Sequence, residues 1–120
     1  MTKLVALRGA VCVSNDPAAI TEKIARVYDL MLERNGLRED AIVSLIFSVT
    51  RDLDAKNPAA ALRESGRAQN LSLFSVQEPH IQNSLPGVIR LILHCYMEET
   101  VPPRHVYIEG AELLRPDRAS

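Results

Sequence analysis

Residues 88–97, VIRLILHCYM, constrain the fold more than any other stretch of the chain. As a plain apolar run they fit either a helix or a strand, but at period two they separate cleanly. Ile89, Leu91, Leu93, Cys95 and Met97 share one side, and Val88, Arg90, Ile92, His94 and Tyr96 share the other. Successive side chains of a strand point to opposite faces. Read as a strand, the segment has one wholly apolar face and one that holds every polar group, and that reading is adopted.

The segment after Asp16 supplies a helix. Asp16 can cap it, Pro17 suits the first helical position, and Ile20, Ile24, Val27 and Met31 recur at spacings of four, three and four, the mark of one buried helical face. Asn35-Gly36 ends it, glycine being able to take the left-handed position. Before it, LVALRGAVCV (4–13) reads as a first strand, with Gly9 marking a bend or bulge. After the polar LREDA, IVSLIFSVT (42–50) is β-branched, alternates in part, and reads as a buried strand. Asp52 to Asn57 forms a loop, Pro58 opens a short helix (PAAALRES) that closes at Gly66, and LSLFSV (71–76) is a third strand. Gln77 to Pro86 is a polar loop long enough to be functional. Thr100 to Arg104 turns through two prolines, and HVYIEGAELL (105–114) is expected as a last extended segment before Arg115-Pro116-Asp117 and a short tail. No repeat, low-complexity tract or linker divides the chain. This order predicts an α/β (α+β) fold, one domain over residues 1–120, with a mixed β-sheet and helices on one side.

Composition narrows the partners. Fourteen basic and fifteen acidic residues leave a net charge of -1, without the basic excess expected of a nucleic-acid binder. No apolar run approaches the ~18 residues of a membrane span. The first residues hold one Lys and a short apolar stretch, but Arg8 interrupts it and no small-residue cleavage site follows. Two cysteines, Cys12 and Cys95, are too few for a disulfide framework and read as reduced thiols of a cytoplasmic protein. Eleven of the fourteen basic residues are Arg. Arginine forks pair bidentately with carboxylates, which fits a small anionic substrate; a GC-rich genome would give the same bias.

The chemistry-bearing motifs are few. His80, His94 and His105 are 14 and 11 residues apart, without H-x-x-x-H spacing or an adjacent Cys pair, so no metal site is expected. Glycine-rich phosphate loops and the G-x-S-x-G elbow are missing, and no cofactor is implied. What remains are charges where apolar residues would sit more easily. Arg8 lies in the first strand, Arg90 in the 88–97 strand, Glu78 directly after the third strand, and Arg115 after the last extended segment. A buried charge is expensive without a partner, so the mid-strand arginines call for carboxylates, of the protein or of a ligand.

These residues carry a resemblance. Arg8-Gly9-Ala10, Asp52-Leu53, Pro58-Ala59, Leu62-Arg63-Glu64, Gln77-Glu78, Ile89-Arg90, His105-Val106-Tyr107 and Leu114-Arg115-Pro116-Asp117, in this order and spacing, resemble the monofunctional trimeric chorismate mutases of mixed α/β fold, as distinct from the all-helical type. The resemblance runs from Leu4 to Asp117. It implies a trimeric pseudo-α/β-barrel with active sites in clefts between subunits, and the Claisen rearrangement of chorismate to prephenate on the route to Phe and Tyr. By position, Arg8 and Tyr107 would bind the carboxylate of the enolpyruvyl side chain, Arg90 would reach that carboxylate and the ether oxygen, and Glu78 would accept from the ring hydroxyl. Arg63 and Arg115 would stand near the mouth, and Leu73, Phe74, Asn57, Ala59 and Leu114 would line the pocket. The chemistry agrees: a unimolecular rearrangement needs a shaped cavity and a fixed cation rather than a nucleophile or metal.

Three positions depart from the family pattern. Ser75 replaces a Cys that helps Glu78 hold the ring hydroxyl, Asn57 replaces an apolar aromatic at the lid, and Ala60 replaces a Lys near the entrance. They leave two alternatives: an enzyme acting on a related cyclohexadiene dicarboxylate, and a non-catalytic trimeric binding protein.

Overall fold

Residues 1–115 are described by a computed structural model; the Pro116-Asp117 end of the last motif lies outside them. Strands β1 (Thr2–Cys12), β2 (Ile42–Val49), β3 (Ser72–Gln77), β4 (Val88–Glu98) and β5 (Val106–Ile108) form one sheet in the order β3-β2-β4-β1-β5. β4 is central and antiparallel to both neighbours, whereas β3 is parallel to β2 and β5 to β1. β4 therefore runs against the other four. Helix α1 (Pro17–Arg34) joins β1 to β2, and α2 (Pro58–Glu64) joins β2 to β3, the usual crossover between parallel strands. No helix among the described residues is long and apolar enough to cross a membrane.

The period-two pattern of 88–97 is realised. Ile89, Leu91, Leu93, Cys95 and Met97 are all buried, in one core cluster with Ile20, Ile24, Val27, Tyr28 and Met31 of α1 and Ala61 and Leu62 of α2. The capping of α1 follows the sequence as well: Asp16 Oδ2 accepts from Ala19 N at 2.9 Å. At the other end the Asn35 amide donates to Met31 O at 2.7 Å, which satisfies a carbonyl the helix would leave open. Tyr28, which the spacing passes over, is buried with its hydroxyl donated to Glu39, whose Oε2 also accepts from Ala68 N at 2.9 Å. Burial first, and then the bond to Glu39, push the Tyr28 phenol well above its ordinary pKa.

Three local expectations change. Gly9 is not a bulge: β1 pairs with β4 in unbroken register from Thr2 to Cys12. A side chain there would begin 2.6 Å from Met31 Sδ and 3.3 Å from Val27 Cγ2, so Gly9 lets α1 lie close on the sheet. The bulge is on β2, where Ile42 opposes Cys95 and Ser44 opposes His94, leaving Val43 as the extra residue. It shifts the phase of β2 so that Ile42, Leu45 and Phe47 are all buried, the strand bending as bulged strands do. The third change concerns 105–114, which is not one extended segment. Only Val106–Ile108 is strand; Glu109 (φ 50°) and Gly110 (φ 101°) turn the chain through left-handed geometry into a 3₁₀ turn over Ala111–Leu114.

Candidate active site

Residues paired across adjacent strands project on the same side of a sheet, so the register fixes what lies on the face away from the helices. One row runs Val76, Ser48, Arg90, Ala10, Tyr107 across β3, β2, β4, β1 and β5; the next runs Phe74, Ile46, Ile92, Arg8. The two mid-strand arginines thus occupy adjacent rows of neighbouring strands. Glu78 joins them from just beyond β3, its N–H donating to Val49 O at 2.8 Å and prolonging the pairing with β2 by one residue.

Side-chain contacts tighten the group. Ser48 Oγ donates to Glu78 Oε1 at 2.6 Å. Arg90 Nε stands 3.6 Å from the same oxygen, near enough for an ion pair and too far for a hydrogen bond. Although the Arg90 side chain is 38% exposed, its Nε is buried and lacks a hydrogen-bond partner. Tyr107, 2% exposed, packs with Ala10 and Ala111 beside Cys12 and Leu114, and its hydroxyl also lacks a partner. A buried polar group left unpaired costs about 1–3 kcal/mol. Among the described residues three buried side-chain polar atoms have this character, and two of them belong to one row, with Ala10 between them; the third is Nη1 of Arg34 at the end of α1. Two buried donors without hydrogen-bond partners therefore flank a small residue on that row.

Arg8, Ile46, Ser48, Arg90, Leu91 and Ile92 line an open cleft of about 160 Å³, smaller than the ~300–1,000 Å³ usual for small-molecule sites. The Arg8 N–H donates to His105 Nδ1 at 2.9 Å, tying β1 to the start of β5. Arg115 follows the 3₁₀ turn, half-buried. Glu78 also borders a second cavity of about 180 Å³ under the loop after β3, lined by Thr50, Asp52, His80 and Leu85.

The remaining expected residues lie elsewhere. Asn57 caps α2, its Oδ1 accepting from Ala59 N at 2.9 Å, Ala60 N at 3.3 Å and Ser75 Oγ at 3.0 Å. Leu73 and Ala59 pack against the main core. Asn57 and Ser75 border a separate cleft of about 320 Å³ with Lys56, Leu53 and Gln77. Within one chain, then, Ser75 points to the helix side and does not meet Glu78. Leu73 and Phe74, being neighbours on a strand, face opposite ways: Phe74 is on the arginine face and 64% exposed. Arg63 is exposed near the end of α2. Nine of the twelve expected site residues form two groups, Arg8, Glu78, Arg90, Tyr107 and Leu114 in one and Asn57, Ala59, Leu73 and Ser75 in the other, while Phe74 lies exposed on the arginine face and Arg63 and Arg115 stand apart.

Sequence reasoning missed Ser48. Its signal was a polar residue at every fourth position of an otherwise apolar strand, Ser44 and Ser48, in phase with His94 and Arg90 once the pairing is known. Neither thiol is an activated nucleophile. Burial pushes up both Cys12 and Cys95, and Glu112 adds to the effect on Cys12, so both stay protonated.

Known proteins with this pattern agree with one another. The profile of the family described as chorismate mutase type I matches residues 4–118. Chorismate mutase AroH of Thermus thermophilus is 38% identical over 118 residues, covering 95% of this chain and 95% of its own length. Chorismate mutase AroH of Bacillus subtilis (strain 168) is 32% identical over 115 residues, covering 92% and 89%. Among solved structures, a chorismate mutase from Clostridium thermocellum superimposes with a TM-score of 0.83 at 38% identity, over 91% of this chain and 98% of that one.

Proposed function

The chain belongs to the type I chorismate mutase family and is a chorismate mutase, an isomerase of aromatic amino acid biosynthesis; from that premise we propose which residues carry the reaction. The substrate is a dianion that must be held in a compact conformer while its ether C–O bond breaks and a C–C bond forms. Restricting the conformer removes much of the entropic barrier. As the C–O bond lengthens, negative charge grows on the ether oxygen, and a preorganised cation stabilises it without reorganising. Arg90 is that cation. Arg8 and the Tyr107 hydroxyl hold the side-chain carboxylate, and Glu78 accepts from the ring hydroxyl through the carboxylate oxygen that Ser48 leaves free. The carrying observation is the pair of buried, partnerless donors, Arg90 Nε and Tyr107 Oη, on one row of the sheet.

The same reading makes the working unit a homotrimer of single domains (residues 1–120) with sites between subunits. Three features support it. The arginine cleft is smaller than small-molecule sites usually are, most of the expected residues divide into two groups, and the arginine face exposes Leu4, Phe74, Val76 and Tyr96, a patch of the kind that marks an interface. A neighbour's Asn57, Ala59, Arg63, Leu73 and Ser75 would then close the cleft, with Arg115 at its mouth. We place the enzyme in the cytoplasm, where free thiols such as Cys12 and Cys95 persist. No observation favours a different dicarboxylate substrate or a purely binding role.

The test is loss of chorismate absorbance with the purified chain, with mass analysis of the product and sedimentation equilibrium on the same sample. A product of unchanged mass from a particle of about three chain masses is expected. A lighter product overturns the reaction, and a fully active monomer overturns the shared site.

A further inference from the structure

Glu78 is one of the residues proposed to touch the substrate, yet it stands beyond the end of β3, where only its backbone bond to Val49 continues the ladder. A carboxylate on such a short tether has rotamer freedom, and its nearest cation is the Arg90 Nε, 3.6 Å away. If it closed that gap, it would occupy the donor that an incoming oxygen needs. One contact restrains it: Ser48, directly opposite Arg90 in the register, donates its hydroxyl at 2.6 Å to Oε1, the same oxygen that stands 3.6 Å from the arginine. A bond from a neutral donor to a carboxylate is charge-assisted and among the stronger ones.

We propose that Ser48 is a positioning residue: its hydroxyl holds one oxygen of Glu78, turning the other toward the substrate and keeping the Arg90 Nε open. The inference rests on the assignment of Glu78 and Arg90 to the site. The serine makes no hydrogen bond to its cross-strand partner Arg90 and acts on the reaction only through Glu78. Ser48 lies within β2, one residue from its end, and is paired with Val76 of β3 on one side and Arg90 of β4 on the other, a firmer hold than Glu78 has; sites are held more firmly by strands than by loops. Because the effect runs through the cation that acts in the transition state, it falls on kcat more than on KM.

The experiment compares Ser48→Thr with Ser48→Val, side chains of the same shape that differ in the hydroxyl. Steady-state kinetics are measured on each, in the wild-type and Glu78→Ala backgrounds, with thermal unfolding and particle mass recorded for every variant. Ser48→Val should lower kcat about tenfold, the size of a lost charged hydrogen bond at the low end of its range, with KM changed less than about threefold. Ser48→Thr should recover kcat to within about threefold of wild type. In the Glu78→Ala background the step from Ser to Val should change kcat less than about twofold, since the contact is already gone. A merely structural serine would give equal effects in both backgrounds, and that additivity overturns the proposal; so does a Ser48→Val enzyme with wild-type kcat. If Glu78→Ala and Arg90→Ala themselves leave kcat at the wild-type value, it is the site assignment that has failed.

Discussion

The two faces of this sheet are built from the same strands and behave as different materials. On the helix side, Leu7, Val11, Leu45, Phe47, Ile89 and Leu93 are completely buried, and among the described residues no charged side chain is buried with them. One residue along each strand, the other face alternates Arg8, Arg90, His94, Ser44 and Ser48 with exposed Leu4, Phe74 and Tyr96. The period of two is what allows it. One set of residues stabilises the fold, while its neighbours include the partnerless donors Arg90 Nε and Tyr107 Oη that we assign to the substrate. Stability and chemistry are therefore separable by substitution, and each of the following experiments attacks that separation.

The largest effect belongs to the covered face. Phe47→Ala should cost about 3–5 kcal/mol of folding stability, as large-to-small changes in a filled core do, while the fraction that stays folded keeps its kcat; denaturant melts beside active-site titration check both halves. Next comes the arginine face. Arg90→Ala should raise the barrier by ~2.7–4 kcal/mol, on the order of 100- to 1,000-fold in kcat, with an unchanged or higher melting temperature because an unpaired buried donor is removed. Arg90→Lys keeps the charge without the planar fork and should recover only part. An Arg90→Ala chain that loses its fold would mean the two faces are not independent. Asn57→Ala sits at the boundary: it removes the cap of α2 together with the acceptor of Ser75, and about 1 kcal/mol of stability should go with it.

The smallest effect is electrostatic and lies off both faces. Glu109 accepts from Lys23 and pairs with Arg26 at 2.8 Å. The bond to Lys23 is the main reason its carboxyl is held below the usual range, with the nearby charges of Lys23 and Arg26 adding to it. A depressed carboxyl contributes stability that is present above its unfolded value, about 4.3, and is lost as pH falls through the lower folded one. Melting temperature should therefore decline below about pH 4.3, and Glu109→Gln should flatten that decline slightly, since Arg26 is exposed and Lys23 and Glu109 are partly so, which leaves the pairs screened by solvent.

Most of this separation was legible from periodicity. Ile20, Ile24, Val27 and Met31 are all fully buried as their spacing requires, and β4 divides as VIRLILHCYM does. Local signals ended where a distant partner decides. Tyr28 is buried with its hydroxyl given to Glu39, and Ser48 gives its own to Glu78, thirty residues further along the chain. The end of β5 was misread because Glu109, not only the glycine after it, adopts a left-handed backbone, which few residues other than glycine do. Arg8, Glu78 and Arg90 were singled out because charge in or beside apolar strands is conspicuous, whereas Tyr107 came only from the resemblance to the family. The placement of Asn57 and Ser75 in a second cleft was not conspicuous, since α2 capping draws Asn57 to its own helix.

The ladder between β1 and β4 has a consequence for how the molecule is made. It pairs Thr2 with Glu98 and Cys12 with Val88, so β1 must wait for a strand translated long after it. Closing so wide a loop costs chain entropy before any contact offsets it, and such non-local pairing slows folding. The β2–α2–β3 unit, by contrast, closes within residues 42–77. A nascent chain therefore leaves the ribosome with that unit able to form while β1 waits, its Leu4, Val5 and Leu7 open to chaperones or to another copy. Arg8 and Arg90 become neighbours only when β4 arrives, so the pair of cations cannot exist on a truncated product.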